Sequence, residues 1–364
     1  MNIVTLNKSE LLQFINSDEF KNIPHVPISY IRAISHINNP RTNENDILLI
    51  LVYLDFGLAG YLGIVSDLIF KNDKPEKVGW MSCIWVHQNA RGKGLAKTLT
   101  NKAIELWDNK IIATEFTPVA YNLYQKLKKF NILTIKDGLR IYRRSCTKHV
   151  LTSRYNKAKY IKPILATFDF TINIVNDLFI KKKHNLINQN IKIENITNID
   201  DNIFNFIKKH QYSNLFNRNK SEINWMLKFP WVKETHSISP ESIKYQFTSE
   251  AKQFKNICIK IIDNNLIVGF VLLTIRDKHL KTPYVFIEKG VENTLVFIIN
   301  NIMMDYNIDI LTTYQNTIIN NKNLSFIFRK SINRTYLTTM NPIAIGFNVN
   351  QNNIQDGDGD CAFV

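Results

Sequence analysis

Residues 86 to 96 read Val86-His87-Gln88-Asn89-Ala90-Arg91-Gly92-Lys93-Gly94-Leu95-Ala96, and they are the most informative part of the sequence. The apolar run before it, Trp80 to Val86, is typical of a strand. The segment after it places apolar residues at helical spacing, namely Leu95, Leu99, Ala103 and Leu106. The sequence therefore predicts a strand, a glycine-containing loop and an amphipathic helix in direct succession.

This loop has the composition of an anion-binding turn. Gly92 and Gly94 permit close backbone approach, and the amides at the start of the following helix add roughly half a positive charge. Arg91 and Lys93 add two formal charges. Such a loop is suited to a pyrophosphate, although an ordinary strand-to-helix turn with conformational glycines is the alternative at this point.

The flanking residues predict a mixed α/β fold, with a twisted mixed sheet flanked by helices. Strands are expected at Asn2–Leu6, Ile47–Leu54, Gly60–Ile69, Trp80–Val86, Ile111–Phe116 and Ile132–Arg143. Helices are expected from about Ser9, from Leu95, and from Thr117-Pro118, which supplies an N-cap and a first-turn proline. Asp137-Gly138 predicts a turn within the last strand.

The loop and the element order together resemble the Gcn5-related N-acetyltransferase (GNAT) superfamily over approximately Asn2 to Arg144. The family signature, Arg/Gln-x-x-Gly-x-Gly/Ala, is matched by Arg91-Gly92-Lys93-Gly94-Leu95-Ala96. The valine that the family places five residues before that arginine is Val86. The resemblance implies the GNAT fold, acetyl-CoA as a co-substrate, and no metal.

The resemblance also implies where acetyl-CoA binds. Strands four and five of the family splay apart and accept the pantetheine arm, which would hydrogen-bond the backbone of Ile84, Trp85 and Val86. The signature loop, Arg91 to Ala96, would hold the pyrophosphate. The acceptor, a primary amine on a small molecule or peptide, would then attack the thioester directly, without an acyl-enzyme.

A second match to the family falls on the next helix, where Ala120-x-x-x-Tyr124-x-x-Leu127 is similar to its Ala-x-x-x-Tyr-x-x-Leu pattern. Tyr124 takes the position of the general acid that protonates the departing thiolate. A tyrosine packed on the sheet is the structural alternative. The general base has three candidates, Asp67, His87 and Glu115, and a water relay is equally compatible with the sequence.

The pattern of elements begins again after residue 190. Ala59-Gly60-Tyr61-Leu62 has a counterpart in Val268-Gly269-Phe270-Val271, which indicates an internal duplication. The repeat lacks the loop, because Glu288 to Thr294 offers one glycine and two carboxylates. We therefore predict a catalytic GNAT domain (1–145), a helical connector (146–190), a degenerate GNAT-like domain (191–347) and a mobile tail (348–364).

Two further segments carry alternatives. Trp225 and Trp231, with Arg218 upstream, could stack on an acceptor bound between the two domains, or could pack into the core. The tail residues Asp356, Asp358 and Asp360 alternate with glycines, as in some calcium loops, but the glutamate and flanking helices of an EF-hand are missing.

Composition narrows the class of protein. Of 364 residues, 45% are hydrophobic and 21% charged, which is typical of a folded protein, and no signal peptide or membrane span is recognisable. The four cysteines (Cys83, Cys146, Cys258 and Cys361) are widely spaced, which fits a reducing cytoplasm. The net charge of +15 leaves open a non-catalytic nucleic-acid-binding protein, and the tandem arrangement leaves open an aminoacyl transferase similar to the Fem family.

Overall fold

The computed structural model describes residues 1–71, 74–145, 147–181, 191–341 and 354–363. Its strands are β1 (Asn2–Leu6), β2 (Leu49–Leu54), β3 (Gly57–Lys71), β4 (Lys74–Val86), β5 (Ile111–Ala113), β6 (Asn131–Tyr142), β7 (Ile191–Ile196), β8 (Lys233–Glu234), β9 (Glu250–Ala251), β10 (Phe254–Asp263), β11 (Leu266–Arg276), β12 (His279–Ile287), β13 (Ile310–Thr313) and β14 (Phe328–Thr338).

The helices are α1 (Lys8–Asn16), α2 (Asp18–Asn22), α3 (Tyr30–Ile37), α4 (Leu95–Leu106), α5 (Pro118–Leu127), α6 (Thr147–Arg154), α7 (Lys162–Lys181), α8 (Asp201–His210), α9 (Lys220–Lys228), α10 (Pro240–Lys244), α11 (Glu292–Asp305) and α12 (Asn316–Ile319). The predicted mixed α/β class is confirmed. With consecutive helices counted once, the elements from β1 to β6 follow the order β-α-β-β-β-α-β-α-β. The elements from β7 to β14 repeat this order, except that β8, α10 and β9 are inserted between α9 and β10. This repetition confirms the predicted duplication. No helix among the described residues is long and apolar enough to cross a bilayer.

The chain folds into two compact units that do not follow the predicted domain boundaries at residues 145 and 191. Unit 1 comprises Met1–Lys136, Thr197–Phe254 and Arg334–Val364, and unit 2 comprises Asp137–Ile196 and Lys255–Asn333. The physical reason is an exchange of closing strands. Leu337 and Thr338 of β14 pair with β5 in unit 1, whereas Leu139–Tyr142 of β6 pair with β13 in unit 2.

Unit 1 has the sheet order β1-β2-β3-β4-β5-β14 and buries apolar side chains on both faces. One face packs on α4 and α5 through residues such as Leu95, Leu99 and Tyr124. The other packs on α1–α3 through Leu11, Ile15 and similar residues. The site described below lies in this unit.

Unit 2 has the order β6-β13-β12-β11-β10-β7, with α11 buried against the sheet through Leu295, Ile299 and Met303. The turn predicted at Asp137-Gly138 is wrong, because β6 runs through it without a break. Gly138 is required for another reason: a Cβ at this position would lie 2.3 Å from the Cδ1 atom of Tyr314. The glycine permits close approach of an aromatic ring rather than a turn.

Candidate active site

The pairing of β4 with β5 ends midway along β4. The two strands pair in parallel only at Gly79, Trp80 and Met81 of β4, whereas β4 stays paired with β3 as far as Val86. A bulge follows at Cys83, whose φ of 39° lies in the left-handed region. The segment Ile84–Val86 therefore has no strand partner on its β5 side within the described residues, and an extended ligand could pair there.

The loop after β4 has the geometry that an anion-binding turn requires. Gly92 and Gly94 have φ of 80° and 79°, and a Cβ on either would meet no atom within 4 Å. Gly94 is the N-cap of α4, and no side chain caps this helix. The first amides of α4 therefore have no acceptor from the helix or from a cap. The glycines leave the backbone open to a ligand.

The side chains of this loop divide between solvent and core. Arg91 and Lys93 are exposed and add positive charge beside the α4 terminus. Leu95 is buried in the core below the loop, and Ala96 is half-buried, so only their backbone amides are available to a ligand. The structure thus brings together the residues that the sequence singled out in the loop, Arg91 to Ala96, at one end of the β4–β5 opening.

A cavity of about 110 Å³ lies at the other end of this opening. Its lining includes Ser82, Cys83 and Ile84 of β4, Glu115 and Phe116 after β5, Tyr124 of α5, Phe247 and Asp360. The wall of the cavity is therefore formed by the bulge of β4, by α5, which carries the predicted general acid, and by Asp360 near the C-terminus.

Tyr124 is held rigidly in the wall of this cavity. Its side chain is 3% exposed, and its ring contacts Phe116 and Phe130 with centroid distances of 5.7 and 4.8 Å. Burial raises the pKa of the Tyr124 phenol, and the Asp360 carboxylate raises it further. The hydroxyl therefore stays protonated at neutral pH, which is the state that a proton donor needs. The helix begins as predicted, because Thr117 Oγ1 accepts from Ala120 N at 3.3 Å.

The three candidate bases have different surroundings. Asp67 is buried, and although burial raises its pKa, Arg218 and Arg41 outweigh this effect and hold the pKa at about 2. Arg218 Nη1 lies 2.8 Å from Asp67 Oδ1. Asp67 does not line the cavity and stays ionised at neutral pH, so its role is structural.

Glu115 and His87 are also engaged. Glu115 lines the cavity but forms an ion pair with Arg334 at 2.6 Å. His87 Nδ1 accepts from Asn89 N at 3.1 Å, which caps the short 3-10 turn Gln88–Ala90. Its ring lies 5.1 Å from that of His25, in a different cavity of unit 1.

The C-terminal segment (354–363) is a part of the site that sequence reasoning missed. It was expected to be mobile, but its residues are buried in unit 1, while 342–353 and 364 lie outside the described residues. Each aspartate has a partner: Lys136 lies 2.9 Å from Asp356, Arg218 lies 3.1 Å from Asp358, and Ser82 donates to Asp360 at 2.7 Å. These partners compensate the desolvation of three carboxylates and hold the segment in place.

A signal for this segment was present in the sequence. Asp356, Asp358 and Asp360 place three carboxylates within five residues, and a chain with a net charge of +15 can supply the cationic partners that their burial needs. Asp356 and Asp358 pair with cationic side chains of this chain rather than with each other around a calcium ion. Among the described residues, no three His, Cys, Asp or Glu side chains lie close enough together to hold a metal ion. Cys146, one of the four cysteines, lies outside the described residues.

The two tryptophans singled out by sequence pack in the core of unit 1. Trp225 Nε1 donates to Ser35 O at 2.8 Å, and Trp231 Nε1 donates to Ser35 Oγ at 2.9 Å. Phe363 stacks on Trp231 at 4.4 Å, and Arg32 lies 3.8 Å from the centroid of the same indole. The ring faces are therefore occupied by the chain itself, as in the core-packing alternative.

The corresponding loop of the second repeat is occupied by its own carboxylate. Glu292, in the first turn of α11, accepts a hydrogen bond from Gly290 N at 2.9 Å. An anion bound there would meet this negative charge. The loop chemistry of the first repeat is therefore not reproduced in the second.

Comparisons with known proteins agree with this geometry. The model of the acetyltransferase (GNAT) family matches residues 11–128. A search of curated protein sequences found no match. Among solved structures, the chain is similar to a conserved protein of Enterococcus faecalis V583 described as a probable N-acyltransferase, with 8% identity and a TM-score of 0.53 over 92% of this chain and 71% of that chain.

The chain is also similar to Saccharomyces cerevisiae N-myristoyltransferase with bound myristoyl-CoA. The identity is 11% and the TM-score 0.52, over 93% of this chain and 78% of that chain. At such low identity, these two similarities show that the fold is shared and do not indicate which substrates this chain uses.

Proposed function

Because the model of the acetyltransferase (GNAT) family matches residues 11–128, we propose that this chain is an N-acyltransferase. It moves an acetyl or related short acyl group from acyl-CoA to a primary amine by direct attack. The observation that supports the proposal is the succession of three features along β4 and α4. Within the described residues, the α4 terminus has no side-chain cap, Ile84–Val86 has no strand partner on its β5 side, and Ile84 and Tyr124 line one cavity.

Each part of this path has a task in the reaction. The amides at the α4 terminus, with Arg91 and Lys93, bind the pyrophosphate. The backbone of Ile84, Trp85 and Val86 aligns the pantetheine amides in the manner of an added strand. The thioester then lies in the cavity, where Tyr124 protonates the thiolate as the carbon–sulfur bond breaks. The protein positions two reactants and manages protons, and no covalent acyl-enzyme forms.

Two measurements test this proposal. Acetyl-CoA should stabilise the protein by RT ln(1 + [L]/Kd), about 2.7 kcal/mol at a hundredfold excess over Kd. Turnover is then followed as free thiol released from acetyl-CoA in the presence of glucosamine, L-lysine, spermidine or a peptide with a lysine side chain. Absence of any stabilisation at millimolar acetyl-CoA contradicts the proposal. Salt-sensitive binding of nucleic acid without a response to acetyl-CoA would instead support the binding-protein alternative.

A further inference from the structure

We propose that Asp360 is the catalytic base of this reaction and accepts the proton of the acceptor ammonium group. The inference rests on the proposed function and supplies the group that the sequence did not identify. Asp360 lines the same cavity as Tyr124 and the β4 bulge, although it lies 278 residues along the chain from its hydrogen-bond partner Ser82. An amine that enters the cavity therefore meets a carboxylate on the wall that the C-terminal segment forms.

The hydrogen bonds of Asp360 leave its carboxylate able to take up a proton. Ser82 Oγ donates to Asp360 Oδ2 at 2.7 Å, and Ser82 itself accepts from an Arg32 Nη2 group. Because Arg32 occupies the acceptor side of this hydroxyl, the Ser82 proton points to Asp360. Among the described residues, the other carboxylate oxygen, Oδ1, accepts a hydrogen bond only from the Cys361 thiol, at 3.9 Å.

This arrangement separates Asp360 from the other carboxylates near the cavity. Asp67 contacts two guanidinium groups and Glu115 contacts one, whereas Asp360 has a neutral hydroxyl as its main donor. A carboxylate bound directly to arginine is a poor proton acceptor at neutral pH, because protonation would break the ion pair. Asp360 is therefore better suited to the role than Asp67 or Glu115.

Charged and titratable groups face Asp360 from every element around the cavity. They are Arg32 on α3, Cys83 on β4, Glu115 after β5, Tyr124 on α5, Arg334 on β14 and the neighbouring Cys361. Burial raises the pKa of Asp360 above its ordinary value, the Ser82 bond and Arg32 oppose the rise, and Glu115 adds to it. A raised pKa makes Asp360 a stronger base, because it lies closer to the pKa of the ammonium group that Asp360 must deprotonate.

The proton steps balance without any further reactant. Asp360 takes one proton from the ammonium, and the freed amine lone pair forms a bond to the thioester carbon. Collapse of the tetrahedral intermediate breaks the carbon–sulfur bond, and Tyr124 gives its proton to the thiolate. The second amine proton, lost as the amide forms, returns to the Tyr124 phenolate. Asp360 then releases its proton to solvent.

The rest of the C-terminal segment positions Asp360. Before Asp360 in the chain, Asp356 is paired with Lys136 and Asp358 with Arg218. After it, Phe363 stacks on Trp231. Anchors on both sides fix the carboxylate in the cavity wall.

The test compares pH–rate profiles for Asp360→Asn, Asp356→Asn and the wild type. The acceptor is whichever of glucosamine, L-lysine, spermidine or the lysine peptide gives turnover. Asp360→Asn should lower kcat/KM at pH 7 by about a hundredfold or more, because general-base catalysis contributes on that order. The deficit should shrink as the pH approaches the pKa of the amine, which then reaches the cavity already deprotonated. Stabilisation by acetyl-CoA should be unchanged.

Asp356→Asn is the control for loosening of the segment, since its carboxylate does not line the cavity. Any loss of activity there should keep the wild-type shape of the profile. If Asp360→Asn gives a near-wild-type rate, or a deficit that does not change with pH, the inference fails while the proposed function stands. If acetyl-CoA binds but no amine reacts, acetyl-CoA hydrolysis is compared instead, because water needs the same base. Equal hydrolysis in wild type and Asp360→Asn overturns the inference.

Discussion

Gly359 lies against the face of Trp80, so closely that a Cβ on Gly359 would lie 2.6 Å from the Cδ2 atom of the indole. Its φ of 73° also lies in the left-handed region. Trp80 is fixed in turn, because its Nε1 donates to Asp67 Oδ2 at 2.8 Å. The residue before Asp360 is therefore seated on a rigid ring, and only glycine fits there.

Gly359→Ala should displace the C-terminal segment. We expect faster digestion by carboxypeptidase and a fall in acyl transfer of at least about tenfold, since the segment carries the base. Gly290→Ala is the matched control, because it also has positive φ, at 92°, but no atom within 4 Å of the added Cβ. It should show only the backbone cost of about 1–2 kcal/mol. Equal digestion of both variants would show that the contact with Trp80 does not hold the segment.

Arg91→Glu should abolish stabilisation by acetyl-CoA while leaving the fold intact. The side chain is exposed, so no core contact is lost, but a carboxylate now faces the pyrophosphate at the α4 terminus. Lys289→Glu makes the same charge change at the corresponding, exposed position of the second repeat and should leave the shift unchanged. The measurement is the melting temperature with and without acetyl-CoA. A full shift in Arg91→Glu would place the cofactor elsewhere.

Tyr124→Phe separates chemistry from packing. Phenylalanine keeps the ring contacts with Phe116 and Phe130 but removes the hydroxyl, so kcat should fall at least about tenfold with little change in melting temperature. Tyr121→Phe, whose ring stacks on Phe116 at 5.4 Å but does not line the cavity, should keep normal turnover. The rate must be limited by chemistry rather than product release. Normal kcat in Tyr124→Phe would leave the thiolate to water.

Asp67→Asn should destabilise unit 1 by about 3 kcal/mol at pH 7, because the buried guanidinium groups of Arg41 and Arg218 both lose a carboxylate partner. The pKa of Asp67 falls from an ordinary value of 3.8 to about 2 on folding. The contribution of Asp67 to the free energy of unfolding is therefore present above about pH 4 and lost as the pH falls towards 2. In the variant, the free energy of unfolding should fall less steeply over this pH range.

Tryptophan fluorescence during urea unfolding measures this effect in unit 1, since all 5 tryptophans belong to its segments. Asp18→Asn is the control, because that carboxylate is exposed and forms a surface ion pair with Lys21. If the free energy of unfolding falls as steeply below pH 4 in Asp67→Asn as in wild type, Asp67 is excluded as the source of the pH dependence.

Local patterns were enough to predict most elements of the site. The bounds of β1 were predicted to the residue, and β4, the loop and α4 were predicted in the right order. These elements are set by apolar periodicity, by glycines and by capping residues, which act over a few positions. β14 was missed, because its first half is exposed and polar and shows no alternation.

Sequence alone thus determined the mixed α/β class, the duplication and the loop from Arg91 to Ala96, because each depends on neighbours in the chain. Which strands close each unit depended on the folded chain, since β14 pairs with β5 and β6 with β13 although the partners lie far apart in the sequence. The tertiary structure also decided the fate of the C-terminal segment. Asp358 and Asp360 find their partners 140 and 278 residues away, and only folding brings a buried carboxylate to the donors that compensate its desolvation.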